Sequence, residues 1–249
     1  MPFVFAKNKP KAEHAPAENK IAVLAPANSD VLPAPAPAPG VNAFSRMYDS
    51  LRLNFMGLSQ QAFQYAMQGV DYLSKAGKIA NDKIVSIVDF SQPSSKKRLF
   101  VIDLEQCKVA FNTYVAHGVN SGKEFADQFS NRPESNQSSL GFYETMDTYN
   151  GKNGYSLHLQ GLEAGINDNA DSRAIVMHGA PYVNEGLIQS QGYIGRSWGC
   201  PAVSEALHKP IINKIKNGTC LFIYSPNKNY MSHSKILKDA AAMAYSNRS

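Results

Sequence analysis

From residue 84 onward, apolar positions come in short runs or alternate with polar ones, the spacing of strands. Residues 84–90 and 99–104 are short, mainly apolar runs, interrupted by Ser86, Asp89 and Asp103, the pattern of strands buried on both faces. In 107–116, Val109, Phe111, Thr113 and Val115 alternate with Lys108, Ala110, Asn112 and Tyr114. Glu105-Gln106 supplies a tight connection before this third run. Further strands are predicted at 140–144, 155–160, 174–178 and 221–224, and a short helix near 210–217 that opens on Pro210 and is followed by Gly218. Upstream the period changes. Leu58, Ala62, Ala66, Val70 and Leu73 recur every three to four residues, with Ser59 as N-cap and Lys75 and Gly77 suited to the C-terminus. Gly69 works against this helix by about 1 kcal/mol relative to alanine. The pattern predicts a mainly β (α+β) domain, a β-sandwich or barrel, over 84–226. A helical lead-in at 41–83 precedes it, and a helical or frayed tail at 227–249 follows.

Composition adds one more segment. Eight of the 14 prolines fall in the first 40 residues, ending in Pro33-Ala34-Pro35-Ala36-Pro37-Ala38-Pro39-Gly40. Such a tract favours polyproline II and buries no core, so residues 1–40 read as a disordered, semi-rigid spacer, with a ligand for a proline-binding module as the alternative. The chain is 43% hydrophobic and 18% charged, as in soluble globular proteins. No apolar run approaches the ~20 residues of a membrane span. Phe3-Val4-Phe5-Ala6 is also shorter than the apolar part of a signal peptide, about 7–15 residues. The net charge of +5 is dispersed, and Lys96-Lys97-Arg98 is the only basic triplet. That suits a solvated surface or weak attraction to an anionic polymer. Nucleic acid is not expected, because aromatic residues are not interleaved with clustered Lys and Arg.

The three cysteines lack C-x-x-C spacing, so neither a metal nor another cofactor is expected. Cys107 and Cys220 lie in apolar strand-like runs, where a buried free thiol is the default and a bridge between them the alternative. Cys200 keeps different company: Gly195-Arg196-Ser197-Trp198-Gly199-Cys200-Pro201-Ala202. The apolar run Ala174-Ile175-Val176-Met177 ends in His178-Gly179, placing a histidine at a strand end beside a glycine that permits close approach. A nucleophilic cysteine needs a base and backbone N–H groups for the developing oxyanion. His178 is the candidate base, and the Gly199-Cys200 turn the candidate source of donors. No Asp or Glu stands ready to orient the imidazole, which leaves the carbonyl of Ser197 or Gly199 for that task.

These segments resemble the L,D-transpeptidase (YkuD-type) catalytic domain, marked by a strand-terminal His-Gly, a spacer, and Ser/Thr-His-Gly-Cys. The match is His178-Gly179 and then Ser197-Trp198-Gly199-Cys200, with a spacer, residues 179–196, slightly longer than usual. Trp198 replaces the family's histidine, and Pro201-Ala202-Val203 replaces the apolar residue and the arginine or asparagine after the cysteine. The chain is more similar to a bacterial branch of murein L,D-transpeptidase catalytic domain proteins with the signature Ser-x-Gly-Cys-Pro-Ala. Further likeness lies in Ala116-His117-Gly118, Gln137-Ser138-Ser139-Leu140-Gly141-Phe142-Tyr143, Gly151-Lys152-Asn153-Gly154-Tyr155-Ser156-Leu157 and Asn167-Asp168-Asn169-Ala170.

The resemblance implies a cysteine acyltransferase acting on peptidoglycan stem peptides in the periplasm or at the cell wall. Cys200 attacks a tetrapeptide stem, D-alanine leaves, and the thioester passes to an amine of a neighbouring stem as a 3→3 cross-link, or to water. His178 moves the proton, and Gly199 and Cys200 N–H groups form an oxyanion hole worth about 2.7–4 kcal/mol per donor. Ser197 belongs to the same catalytic set. The candidates for binding substrate are Arg196 and Arg173, in place of the missing arginine, with Trp198, Gly179, His117 and Tyr143. His158 reads as a core histidine, while His14, His208 and His233 carry no signal. A hydrolase with the same Cys–His pair and an inactive wall-binding module are the competing readings.

Overall fold

The computed structural model describes residues 39–246, and their side chains from residue 43. The proline tract expected as a spacer therefore lies almost wholly outside the described residues, as does His14. In chain order the elements are α1 (Pro39–Ser50), α2 (Gln60–Lys75), β1 (Asn81–Asp89), β2 (Leu99–Asp103), β3 (Lys108–Thr113), β4 (Gly141–Gly151), β5 (Gly154–Gly161), β6 (Val176–Ala180), α3 (Glu185–Gln191), β7 (Ala202–Ser204), α4 (His208–Ile215), β8 (Thr219–Tyr224), α5 (Lys228–His233) and α6 (Lys235–Ser246). None of these helices is long and apolar enough to cross a membrane.

The strands form one eight-stranded sheet in the order β3-β2-β1-β8-β4-β5-β6-β7. Only β1–β8 and β6–β7 are parallel pairs. The mainly apolar runs take the inner positions: β2 and β8 are buried at every residue. The chain after β3 then reaches the far edge, where Ala116 bridges Ala202 and Gly118 bridges Ser197. The sheet is thus nearly closed into a barrel, the mainly β architecture expected.

The amphipathic α2 lays Ala62, Phe63, Ala66, Met67, Val70 and Leu73 into the core. Ser59 caps it, accepting from the Ala62 amide at 3.3 Å while its own N–H donates to Asp89 at 2.9 Å. Gly69 has a packing reason: a Cβ there would lie 2.2 Å from the Phe142 ring, which stacks on Phe222 at 4.2 Å. Gly69→Ala should therefore destabilise the protein by about 1–3 kcal/mol, although alanine favours helix, because the ring has no room to retreat. Urea denaturation measures this, and a neutral or stabilised variant would refute the close packing.

Several elements differ from expectation. The lead-in is two helices with turns between them, because Gly57 and Arg52 adopt positive φ. β4 runs past residue 144 to Gly151 and joins β5 by a tight hairpin, Gly151 pairing Gly154; its outer half is polar and leaves the core, so no apolar period marks it. The tail is ordered through α6, where Ile236, Leu237 and Ala240 are buried. Buried Glu163 ties it down, accepting from the Phe142 amide and the Tyr230 hydroxyl at 2.9 Å each and from the Ser234 hydroxyl. All three cysteines are free; Cys220 is buried in β8, whereas Cys107 is exposed in the β2–β3 turn at φ +49. His158 is half-exposed rather than in the core, stacked on Tyr149 and 3.1 Å from Asp147.

Candidate active site

The site forms where the sheet closes. Parallel pairing of β6 with β7 sets His178 opposite Ala202, two residues beyond Cys200. At strand spacings of about 4.8 Å across and 3.3 Å along, the two backbones stand roughly 8 Å apart, a gap that an imidazole and a thiol can span.

The turn before Cys200 is held from several sides. Ser197 Oγ accepts from the Gly199 amide at 3.1 Å and donates to the Cys200 carbonyl at 2.6 Å. The Ser197 amide donates to the His117 carbonyl at 2.9 Å, and its carbonyl accepts from Val119 at 2.7 Å. Gly199 adopts φ +123, and a Cβ there would come within 2.8 Å of the Gln137 carbonyl, so only glycine fits. Ser197 and Gly199 therefore shape the turn. The Gly199 N–H, expected as an oxyanion donor, is engaged by Ser197 Oγ, which leaves the Cys200 N–H as the nearer candidate.

Cys200 is 9% exposed, and its thiol donates to the Ala174 carbonyl over 3.7 Å. Burial pushes this thiol up; the amides of Val176 and of Cys200 itself, with the Arg173 charge, pull it back. The His178 ring bonds through Nδ1 to the Gly179 carbonyl at 2.8 Å. That bond makes Nδ1 the donor and leaves Nε2 as a free acceptor. The orienting carbonyl is thus that of Gly179, not of Ser197 or Gly199. Burial lowers the His178 pKa below the ordinary histidine value, the Gly179 bond opposes this, and the His208 charge lowers it again. The resting pair is a neutral thiol and a neutral imidazole, with no hydrogen bond between them among the described residues.

The remaining predicted residues mostly build the frame. Arg173 donates to the Ser130 and Gln137 carbonyls at 2.9 and 2.7 Å, and to Ser139 and Ser135 Oγ at 2.5 and 3.1 Å. Arg196 donates to the Gly122 carbonyl at 3.1 Å. His117 is fully buried, with Nδ1 2.7 Å from an Arg98 nitrogen and Nε2 3.3 Å from the Gly122 carbonyl; burial lowers its pKa to about 3, so it stays neutral. Tyr143 is also fully buried and donates to the Ser139 carbonyl at 3.0 Å. By contrast Trp198 is 77% exposed, an aromatic face in solvent two residues from the thiol.

A cleft of about 560 Å³ opens beside His178 and Gly179. Lys152, Tyr155, Tyr182, Glu205, His208 and Lys209 are also among its lining residues, whereas Cys200 lies outside its wall. Gly179 allows the His208 ring to approach: a Cβ would meet it at 2.8 Å. Burial, and then the Cys200 charge, push the Tyr182 hydroxyl up to about 12. His208 and Tyr182 escaped the sequence reading. His208 stands among polar residues before a helix-opening proline, without a period to mark it; Tyr182, four residues after His178, follows the strand end closely enough to have been suspected. Among the described residues, no group of three His, Cys, Asp or Glu is placed to hold a metal ion.

The L,D-transpeptidase catalytic domain family, of the YkuD type, matches residues 55–224, and the chain belongs to it. A search of curated proteins returned no match. Similar solved structures include an L,D-transpeptidase from Mycobacterium smegmatis, at 12% identity and TM-score 0.36, covering 57% of this chain and 59% of that one. Another is the L,D-transpeptidase (Yku) from Stackebrandtia nassauensis, at 15% identity and TM-score 0.35, covering 65% of this chain and 66% of that one. The alignment thus takes in less than two thirds of these neighbours' own length. The family match runs from residue 55 and so takes in α2.

Proposed function

We propose that the protein is a peptidoglycan L,D-transpeptidase that works through a Cys200 thioester, in the periplasm or at the cell wall where its substrate lies. The observation that carries this reading is that the β6–β7 pairing sets the turn holding Cys200 beside the strand of His178, with the imidazole Nδ1 fixed on Gly179 and Nε2 left to accept a proton.

In the first step the Cys200 proton passes to His178 Nε2 as sulfur bonds to the carbonyl carbon of the penultimate stem residue. The Cys200 N–H holds the oxyanion. The C–N bond to D-alanine then breaks, and the departing amine takes the proton from His178. In the second step an amine of a neighbouring stem gives a proton to His178 and attacks the thioester. A new amide forms, and sulfur leaves and is reprotonated. Trp198, exposed beside the thiol, offers an apolar face to the stem.

Disaccharide-tetrapeptides incubated with the purified protein test this directly by mass analysis. Release of D-alanine with a 3→3 dimer is the expected result. Release without dimer would make water the acceptor and the protein a carboxypeptidase. Absence of any D-alanine release would leave a wall-binding module.

A further inference from the structure

The two arginines offered by the sequence for a substrate carboxylate are both committed within the fold, Arg173 to four acceptors of segment 130–139 and Arg196 to the Gly122 carbonyl. The cleft beside His178 is built differently. Lys152 reaches it from the β4–β5 hairpin and Lys209 from the start of α4. Both are exposed, and neither has an ion-pair partner among the described residues. One acidic residue, Glu205, shares the lining, so cations outnumber it two to one. The Glu205 backbone carbonyl accepts from His208 Nδ1 at 2.7 Å, which orients that ring over Gly179. The volume, about 560 Å³, is within the usual range for a ligand pocket.

We propose that this cleft is a carboxylate subsite, in which Lys152 and Lys209 hold a carboxylate of a stem peptide, with His208 and Gly179 as its floor, while the reacting group lies at His178. The assignment rests on the transpeptidase reading above. It replaces the arginine expected after the cysteine by two lysines drawn from other elements. Lysine ammonium groups act as point charges that follow a flexible peptide, without the fixed fork of arginine. A stem offers two candidate carboxylates, the terminal one of the donor and the one on the diamino residue of the acceptor, and both present the same chemistry to the lysines.

The test compares the unmutated protein with Lys152→Gln/Lys209→Gln and with Lys75→Gln/Lys235→Gln, a control of equal charge loss outside the cleft. Thioester formation and dimer yield are followed by mass with tetrapeptides whose terminal or diamino-residue carboxylate is free or amidated. The cleft variant should melt with the unmutated protein and raise KM about tenfold with kcat within about threefold, the scale of losing charge-assisted hydrogen bonds in a half-open cleft. The control should change neither. Amidating the carboxylate that is held should cost the unmutated protein the same factor and cost the cleft variant little. Sensitivity to the terminal amide assigns the cleft to the donor, and sensitivity to the other assigns it to the acceptor. An unchanged KM in the cleft variant, or indifference to both amides, overturns the subsite while leaving the transpeptidase intact. No thioester with the unmutated protein overturns both.

Discussion

A carbapenem is expected to leave a single covalent adduct on the unmutated protein and none on Cys200→Ala, which should also lose all D-alanine release. The two reactions share the same first step, attack of sulfur on a strained or peptide carbonyl, so one substitution removes both. Alanine leaves the turn intact, because its hydrogen bonds run through Ser197 and the backbone rather than the thiol. The thiol's own hydrogen bond, donated to Ala174 at 3.7 Å, is long and weak. Stability should therefore change by no more than about 1 kcal/mol, as read from denaturant melts. Intact mass of protein and drug decides the matter. An adduct that persists on Cys200→Ala, or one found on Cys107 or Cys220, would remove Cys200 from the chemistry.

His178→Gln should slow carbapenem acylation at pH 7 by about 10²–10⁴-fold, the range of a lost general base. The pH profile is more specific than the rate. Burial holds the His178 pKa down, so the neutral, proton-accepting form persists into acid. The acid limb of acylation by the unmutated protein should lie below the ordinary histidine value of about 6.5. In His178→Gln that limb disappears. The residual rate should instead climb about tenfold per pH unit through the neutral range, following the thiolate fraction of a thiol whose pKa burial raises. An acid limb at or above 6.5, or one retained by the variant, would show that another group accepts the proton.

Much of the sheet could be read along the chain because β1 from Ile84 onward, β2 and β8 are mainly apolar and buried on both faces, a pattern tied to the middle of a sheet. β7 could not, because three residues are too few to show a period, and its place is set by pairing with His178 and with Ala116 across the barrel. The outer half of β4 was hidden for the opposite reason: it is held by β5 and carries polar side chains. At the site, His178 and Cys200 stood out through their glycine neighbours. His117 drew attention through its glycine neighbour, and Tyr143 through the family-like segment 137–143, but both serve inside the frame, since a side chain's burial depends on what crosses it. His208 shows the limit most plainly. Its partner in space, Gly179, lies 29 residues away in the chain, and a local pattern does not carry that contact.

The bridges from Ala116 to Ala202 and from Gly118 to Ser197 give the chain an internal safeguard. The turn that presents the thiol hangs from the His117 backbone, and the His117 ring is fixed by the fully buried Arg98. Those contacts join positions about eighty residues apart, and contacts of such long range form only after the entropy of closing the intervening loop has been met. A chain opened at the seam therefore carries Cys200 on a turn that has lost its backbone anchor. Shutting the ring of strands is what gives the Cys200 turn its backbone anchor, so the order of this turn reports on complete folding.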